Sequence, residues 1–171
     1  VEINNRFRQC AGGEELESGN SMFYGRDVII NNIKQSILDG AKNQIAIYGQ
    51  KRSGKSSLLN QIMGKLESDD SHSVICGKFN LQSLPEDELN PVRWILESIA
   101  KALLQGIRKH GVRTLNKTIV SNFFAGETDA FAALGDFIEH INTIDELKGS
   151  HFVIFIDELV NNDYWATYIC N

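Results

Sequence analysis

Gly49-Gln50-Lys51-Arg52-Ser53-Gly54-Lys55-Ser56 decides how this chain is read. The pattern is G-x-x-x-x-G-K-S, a loop built to hold phosphate. Its glycines let backbone amides converge on an anion with no side chain in the way. A helix after the loop adds unpaired N–H groups and a partial positive charge. Lys55 has the reach for the β- and γ-phosphates of a nucleotide, and the Ser56 hydroxyl suits Mg²⁺. Ser57 continues the cradle. The flanks agree with this. Gln44-Ile45-Ala46-Ile47-Tyr48 is a short apolar run of the kind that forms a buried parallel strand. After the loop, Leu58, Leu59, Ile62, Met63 and Leu66 recur at helical spacing on one face. The spacing therefore predicts strand, loop and helix in that order.

A second stretch completes the chemistry. Phe152-Val153-Ile154-Phe155-Ile156 is apolar throughout and ends in Asp157-Glu158. A fully buried parallel strand would deliver Asp157 at its C-terminal end, where open α/β sheets bind ligands. From there a carboxylate can hold Mg²⁺, and the adjoining Glu158 can polarise a water. An apolar run ending in two acids is a weak signal alone. It gains force from the phosphate loop upstream.

Between and around these stretches the chain alternates. Ile30, Ile33, Ile37 and Leu38 mark a helix from about Asp27 to Asp39, with Gly40 as its stop. Val74 to Asn80 reads as a strand. Asn90-Pro91 starts a long helix, Asn as cap and Pro at the first helical position. Its stripe is Val92, Ile95, Leu96, Ile99, Leu103 and Ile107. Arg108, Lys109 and Arg113 complement its C-terminal dipole, and Gly111 follows. A short helix is expected through Ile119 to Phe124. Another is capped by Thr128 or Asp129 and buries Leu134, Phe137, Ile138 and Ile141, with Ile144 as an extension. Residues 159–171 suit a helix start and a strand alike.

Composition sets the bounds. The chain has 171 residues, 42% of them hydrophobic, enough for a globular domain with a core. Its formal net charge of −5 supplies no overall basic field for nucleic acid or an anionic membrane. Cys10, Cys76 and Cys170 are widely spaced, which fits reduced thiols in a cytoplasmic protein. No apolar run reaches the length of a membrane span.

Both motifs, Walker A at Gly49 to Ser56 and Walker B ending in Asp157, place the chain in resemblance with P-loop NTPases. Phe23-Tyr24-Gly25-Arg26, an aromatic-x-Gly-Arg turn opening a helix before the loop, narrows it. The motif order from Phe23 to Glu158 resembles AAA+ and STAND ATPases, most closely bacterial STAND-like and archaeal initiator-like members. In one departure, Ile29 stands where such families often carry an acid.

The resemblance implies a three-layer α/β/α sandwich with a mainly parallel sheet, and a Mg²⁺-dependent ATPase. Gly25 and Arg26 would lie along the nucleotide base. Gly49, Gln50, Lys51, Arg52, Ser53, Gly54, Lys55, Ser56 and Ser57 would hold the phosphates. Ser56 and Asp157 would hold the metal, and Glu158 would orient water, with Lys55 stabilising the transferred phosphoryl group.

Residues 1–20 are polar and carry Gly12, Gly13 and Gly19, which reads as a linker or mobile arm, and the P-loop domain then covers 21–171, C-terminally incomplete. The γ-phosphate-sensing strand, arginine finger and lid are not identifiable before Asn171. Weak or absent hydrolysis by this segment alone is expected. The function implied is a nucleotide-driven switch in a larger signalling or defence protein, with a homo-oligomer or further domains as partners. A DNA-associated ATPase of initiator or loader type and a non-hydrolysing ATP-binding scaffold are the alternatives.

Overall fold

The computed structural model describes residues 25–40, 44–50, 52–69, 73–85, 87–126 and 129–158. Several expectations lie outside them: the arm over residues 1–20, the aromatics Phe23 and Tyr24, Lys51, Thr128, and the segment 159–171. Cys10 and Cys170 do as well. The described residues fall into two compact units, one before Ser73 and one from Ser73 on.

The first unit is built on two helices. Helix α1 spans Asp27–Leu38 and buries Ile30. It stops where expected, with Gly40 at a φ of +63° that side chains rarely adopt. Helix α2 spans Lys55–Glu67 and buries Leu58, Ile62 and Leu66, three of the five positions on its apolar stripe. The two helices pack together. Lys34 pairs with Asp69 at 2.5 Å and Lys65 with Asp27 at 3.2 Å, ion pairs linking α1 to the end of α2.

The expected strand Gln44 to Tyr48 is not one. Residues 44–50 carry no ladder, and Ile45 and Tyr48 are exposed. An apolar run becomes a strand only when a neighbour satisfies its N–H and C=O groups. No strand among the described residues does so.

The second unit holds the sheet. Strand β1 spans Val74–Asn80 and β2 spans His151–Asp157. They pair in parallel, Val74 beside His151 through Asn80 beside Asp157. The connection runs through helices α3 (Pro91–Lys109), α4 (Ile119–Phe123) and α5 (Ala130–Asn142). Asn90 caps α3 as its sequence suggests, its side chain accepting from the Arg93 amide at 3.1 Å. Asp129 caps α5 by accepting from Phe131 at 3.2 Å.

The stripe on α3 buries Ile95, Leu96, Leu103 and Ile107. Together with Ile75, Val120, Phe137 and Ile141 these residues build the core of this unit. The contact between α3 and β1 is unusually close, because it is made by glycines. A Cβ on Gly77 would stand 2.7 Å from the Ala102 carbonyl group, and one on Gly106 would overlap the Cys76 carbonyl oxygen.

Two burial expectations are corrected. Strand β2 is half-buried over most of its length rather than fully buried. It has one neighbouring strand among the described residues, and full burial is confined to Phe155 and Asp157 toward its C-terminal end. On α5, Ile138 is exposed, while Ala133 takes a place on the buried face with Phe137 and Ile141. Helix α5 ends at Asn142, so Ile144 belongs to the following turn.

Candidate functional site

In the first unit the glycine-rich loop before α2 is left-handed at two of its residues. Gly54, at φ +79° and ψ +27°, is the left-handed residue from which α2 starts. Arg52 is also left-handed at φ +61°, a conformation that costs a non-glycine residue energy and tends to cluster at ligand sites. The Ser53 amide donates to the Gln50 carbonyl at 3.2 Å and closes the turn. Gly49 leaves the inside of the turn clear, since a Cβ there would stand 2.8 Å from Ser53 Oγ. The first turn of a helix has N–H groups its own ladder cannot pair, and here that turn opens directly from the loop.

Lys55 is folded back over this cradle. Its Nζ donates to the Gly49 carbonyl at 3.1 Å and to the Gln50 carbonyl at 2.8 Å. An ammonium held on two weak acceptors is ready to exchange them for phosphate oxygens, which bind it with full negative charge. Ser56 is half-buried and Ser57 buried in the same turn.

Arg26 does something the sequence did not suggest. Its Nη2 donates to the Ser53 carbonyl at 2.9 Å, so it braces the loop. Gly25, at φ +79°, turns the chain into α1.

In the second unit the C-terminal ends of the paired strands carry the polar groups. Asp157 is 5% exposed. Its Oδ1 accepts from the Glu158 amide at 3.0 Å, and its Oδ2 lies 3.1 Å from Lys78 Nζ. Glu158 leaves the strand at φ +58°, a second strained non-glycine residue. Asn80, paired across from Asp157, is used structurally. Its side chain accepts from the Gln82 amide at 2.8 Å and caps the 3-10 turn Leu81–Ser83. A shallow depression of about 710 Å³ lined by His110, Arg113 and Glu146 belongs to the other end of the sheet. His110 there lies 3.4 Å from Ser73, which precedes β1.

Lys78 is the residue that motif reading missed. The sequence held half of the signal: period-two alternation puts it on the same face as Asn80, and only the parallel register with β2 brings Asp157 to that face. Asp157 fits a divalent cation by chemistry, being a buried hard-oxygen donor that already holds a positive group.

Residues 23–165 match the family described as an ATPase domain predominantly from Archaea. The chain belongs to that family. It is also similar to the lipoprotein-releasing system ATP-binding protein LolD of Treponema denticola, 44% identical over 66 residues. That match covers 39% of this chain and 28% of the relative, so the chain spans little more than a quarter of the relative's length. No solved structure matches. The chain is thus a P-loop ATPase-family domain of α/β fold. No helix among the described residues is long and apolar enough to cross a membrane.

Proposed function

We propose that this domain is the ATP-driven switch of a larger signalling or defence protein, of the STAND kind. The observation that carries the reading is Lys55 lying over the carbonyls of Gly49 and Gln50 at the mouth of a glycine-lined helix start. That is a phosphate cradle with its own cation in waiting. Nucleotide binding would move Lys55 from carbonyl to phosphate oxygens, a local two-state change that a larger assembly can read. Ser56 and Asp157 are the proposed metal-holding residues, and Glu158 the residue that orients the attacking water. Mg²⁺, when bound with the nucleotide, supplies charge neutralisation on the phosphates. The motif order from Gly25-Arg26 to Asp157-Glu158 supports the STAND assignment by resemblance.

Equilibrium dialysis with radiolabelled ATP tests the binding step. Lys55→Ala is expected to lower ATP affinity at least about tenfold, the loss of one charged contact to phosphate. Unchanged affinity would overturn the reading. In the full-length protein, Glu158→Gln is expected to keep ATP bound and stop turnover, and light scattering is expected to show a larger assembly with ATP than with ADP. Identical assembly in both nucleotides removes the switch, and salt-sensitive DNA binding in its place transfers the domain to the initiator or loader type.

A further inference from the structure

We propose that Lys78 is a built-in competitor for the metal at Asp157. In the nucleotide-free domain it occupies the acid with a side-chain cation, and it sets the Mg²⁺ concentration at which ATP can bind. The metal half of this inference rests on the reading of Asp157 given above. The ion pair itself does not.

The geometry comes from strand register. Lys78 stands beside Phe155 and Asn80 beside Asp157 in a parallel ladder. Side chains two apart on neighbouring strands share a face, so Lys78 reaches diagonally to the carboxylate. The contact is 3.1 Å from Nζ to Oδ2, with 22% of the Lys78 side chain and 6% of the Asp157 side chain exposed. The other carboxylate oxygen is held by the Glu158 amide. Oδ2 is therefore the oxygen on which an incoming cation and the ammonium compete.

Burial gives the competition its weight. A carboxylate this far from water is costly to leave without a cation, so some positive group must accompany it. Lysine suits a replaceable occupant. Its ammonium is a point charge on a flexible stem, without the forked, two-point hold that arginine would have on a carboxylate. The Lys78 side chain is also the more exposed of the two, so it can withdraw toward solvent when a divalent ion arrives. Because both cations use one oxygen, each lowers the other's hold by the same factor.

The test titrates Mg²⁺ at fixed ATP on the whole chain, reading bound ATP by dialysis. Lys78→Met is expected to lower the Mg²⁺ midpoint about tenfold, within the range typical of coupled sites. Lys78→Arg, with a firmer grip on the carboxylate, is expected to raise it. A midpoint that stays put or rises in Lys78→Met overturns the proposal, a rise meaning that Lys78 assists the metal or the phosphates.

Lys78→Met strands a buried charge and could unfold the domain, so a second measurement uses Mn²⁺ alone. Mn²⁺ is expected to raise the melting temperature of Lys78→Met more than that of the wild type. It is expected to leave the Lys78→Met, Asp157→Asn double variant unmoved. Equal Mn²⁺ shifts in all three refute the competition. If no variant binds ATP while the Mn²⁺ shifts follow the expected order, the nucleotide reading fails and the cation competition stands.

Discussion

Gly106→Ala is expected to destabilise the sheet-bearing unit, although helix propensity taken alone gives the opposite sign. Gly106 is interior to α3, where exchanging glycine for alanine ordinarily gains about 1 kcal/mol. Here the added methyl has no room. It would overlap the carbonyl oxygen of Cys76 and stand 3.0 Å from its carbon and 3.2 Å from Ile75 Cγ2. Two of those atoms are backbone in the middle of β1, so no rotamer change relieves the overlap. Helix α3 must lift from the strand by roughly 1 Å, a gap that forfeits a quarter to a half of each dispersion contact along the seam. Overpacking of this kind costs about 1–3 kcal/mol. With Ile75, Leu103 and Ile107 all on that seam, the net loss is taken as about 2 kcal/mol.

Gly135→Ala is the matched control. It is also interior to a helix, α5, yet beyond its own stretch of helix no atom lies within 4 Å of its added Cβ. It is expected to gain about 1 kcal/mol from propensity alone. Hydrogen exchange read by mass spectrometry on β1 and α3 peptides reports the difference locally. A loss of about 2 kcal/mol makes those amides exchange about 30-fold faster when opening is at equilibrium. Exchange in Gly106→Ala slowed to the same degree as in Gly135→Ala would refute the claim that glycine is there for close approach.

Other outcomes follow from single contacts. Glu158 sits at φ +58°, which costs an L-residue about 1–2 kcal/mol. Glu158→Gly is therefore expected to match or exceed wild-type stability in thermal melts while ATP turnover in the full-length protein falls, and a clear loss of stability would show that the acid is held by contacts rather than strained. Arg26→Ala removes the brace on the Ser53 carbonyl. It is expected to weaken ATP binding roughly fivefold, about 1 kcal/mol for a partly exposed charged hydrogen bond, through disorder of the loop; unchanged affinity sinks that role. Asn90→Ala deletes the cap on the Arg93 amide and is expected to cost about 1 kcal/mol in urea unfolding of the α3-containing unit.

Local rules made much of the molecule legible. The caps at Asn90 and Asp129 act within three residues, so the sequence around them is sufficient to place a helix start. The left-handed glycines at 40, 54 and 111 are equally local. Strand β1 emerged with its expected bounds, Val74–Asn80, because its apolar run is interrupted by no competing period. The same signal failed at Gln44 to Tyr48. Apolar character can nominate a strand, but the ladder is a property of two segments, and the neighbour is not written in the run itself. Ile138 failed for a related reason. The periodicity of α5 admits a wide stripe, and what packs against the helix decides how much of it is covered.

For the candidate site, the sequence by itself determined the local geometry: a glycine-lined loop running into a helix, a lysine folded over it, and an acid ending a strand. Those follow from residue type and short spacing, because loop conformation and helix start are set within a few bonds. The tertiary structure alone decided the partners of two charged side chains. Arg26 meets a carbonyl 27 residues away, and Lys78 meets an acid on a strand that begins 73 residues later in the chain. Which charge ends beside which depends on strand register and on how helices pack, and neither is encoded at the position of either partner.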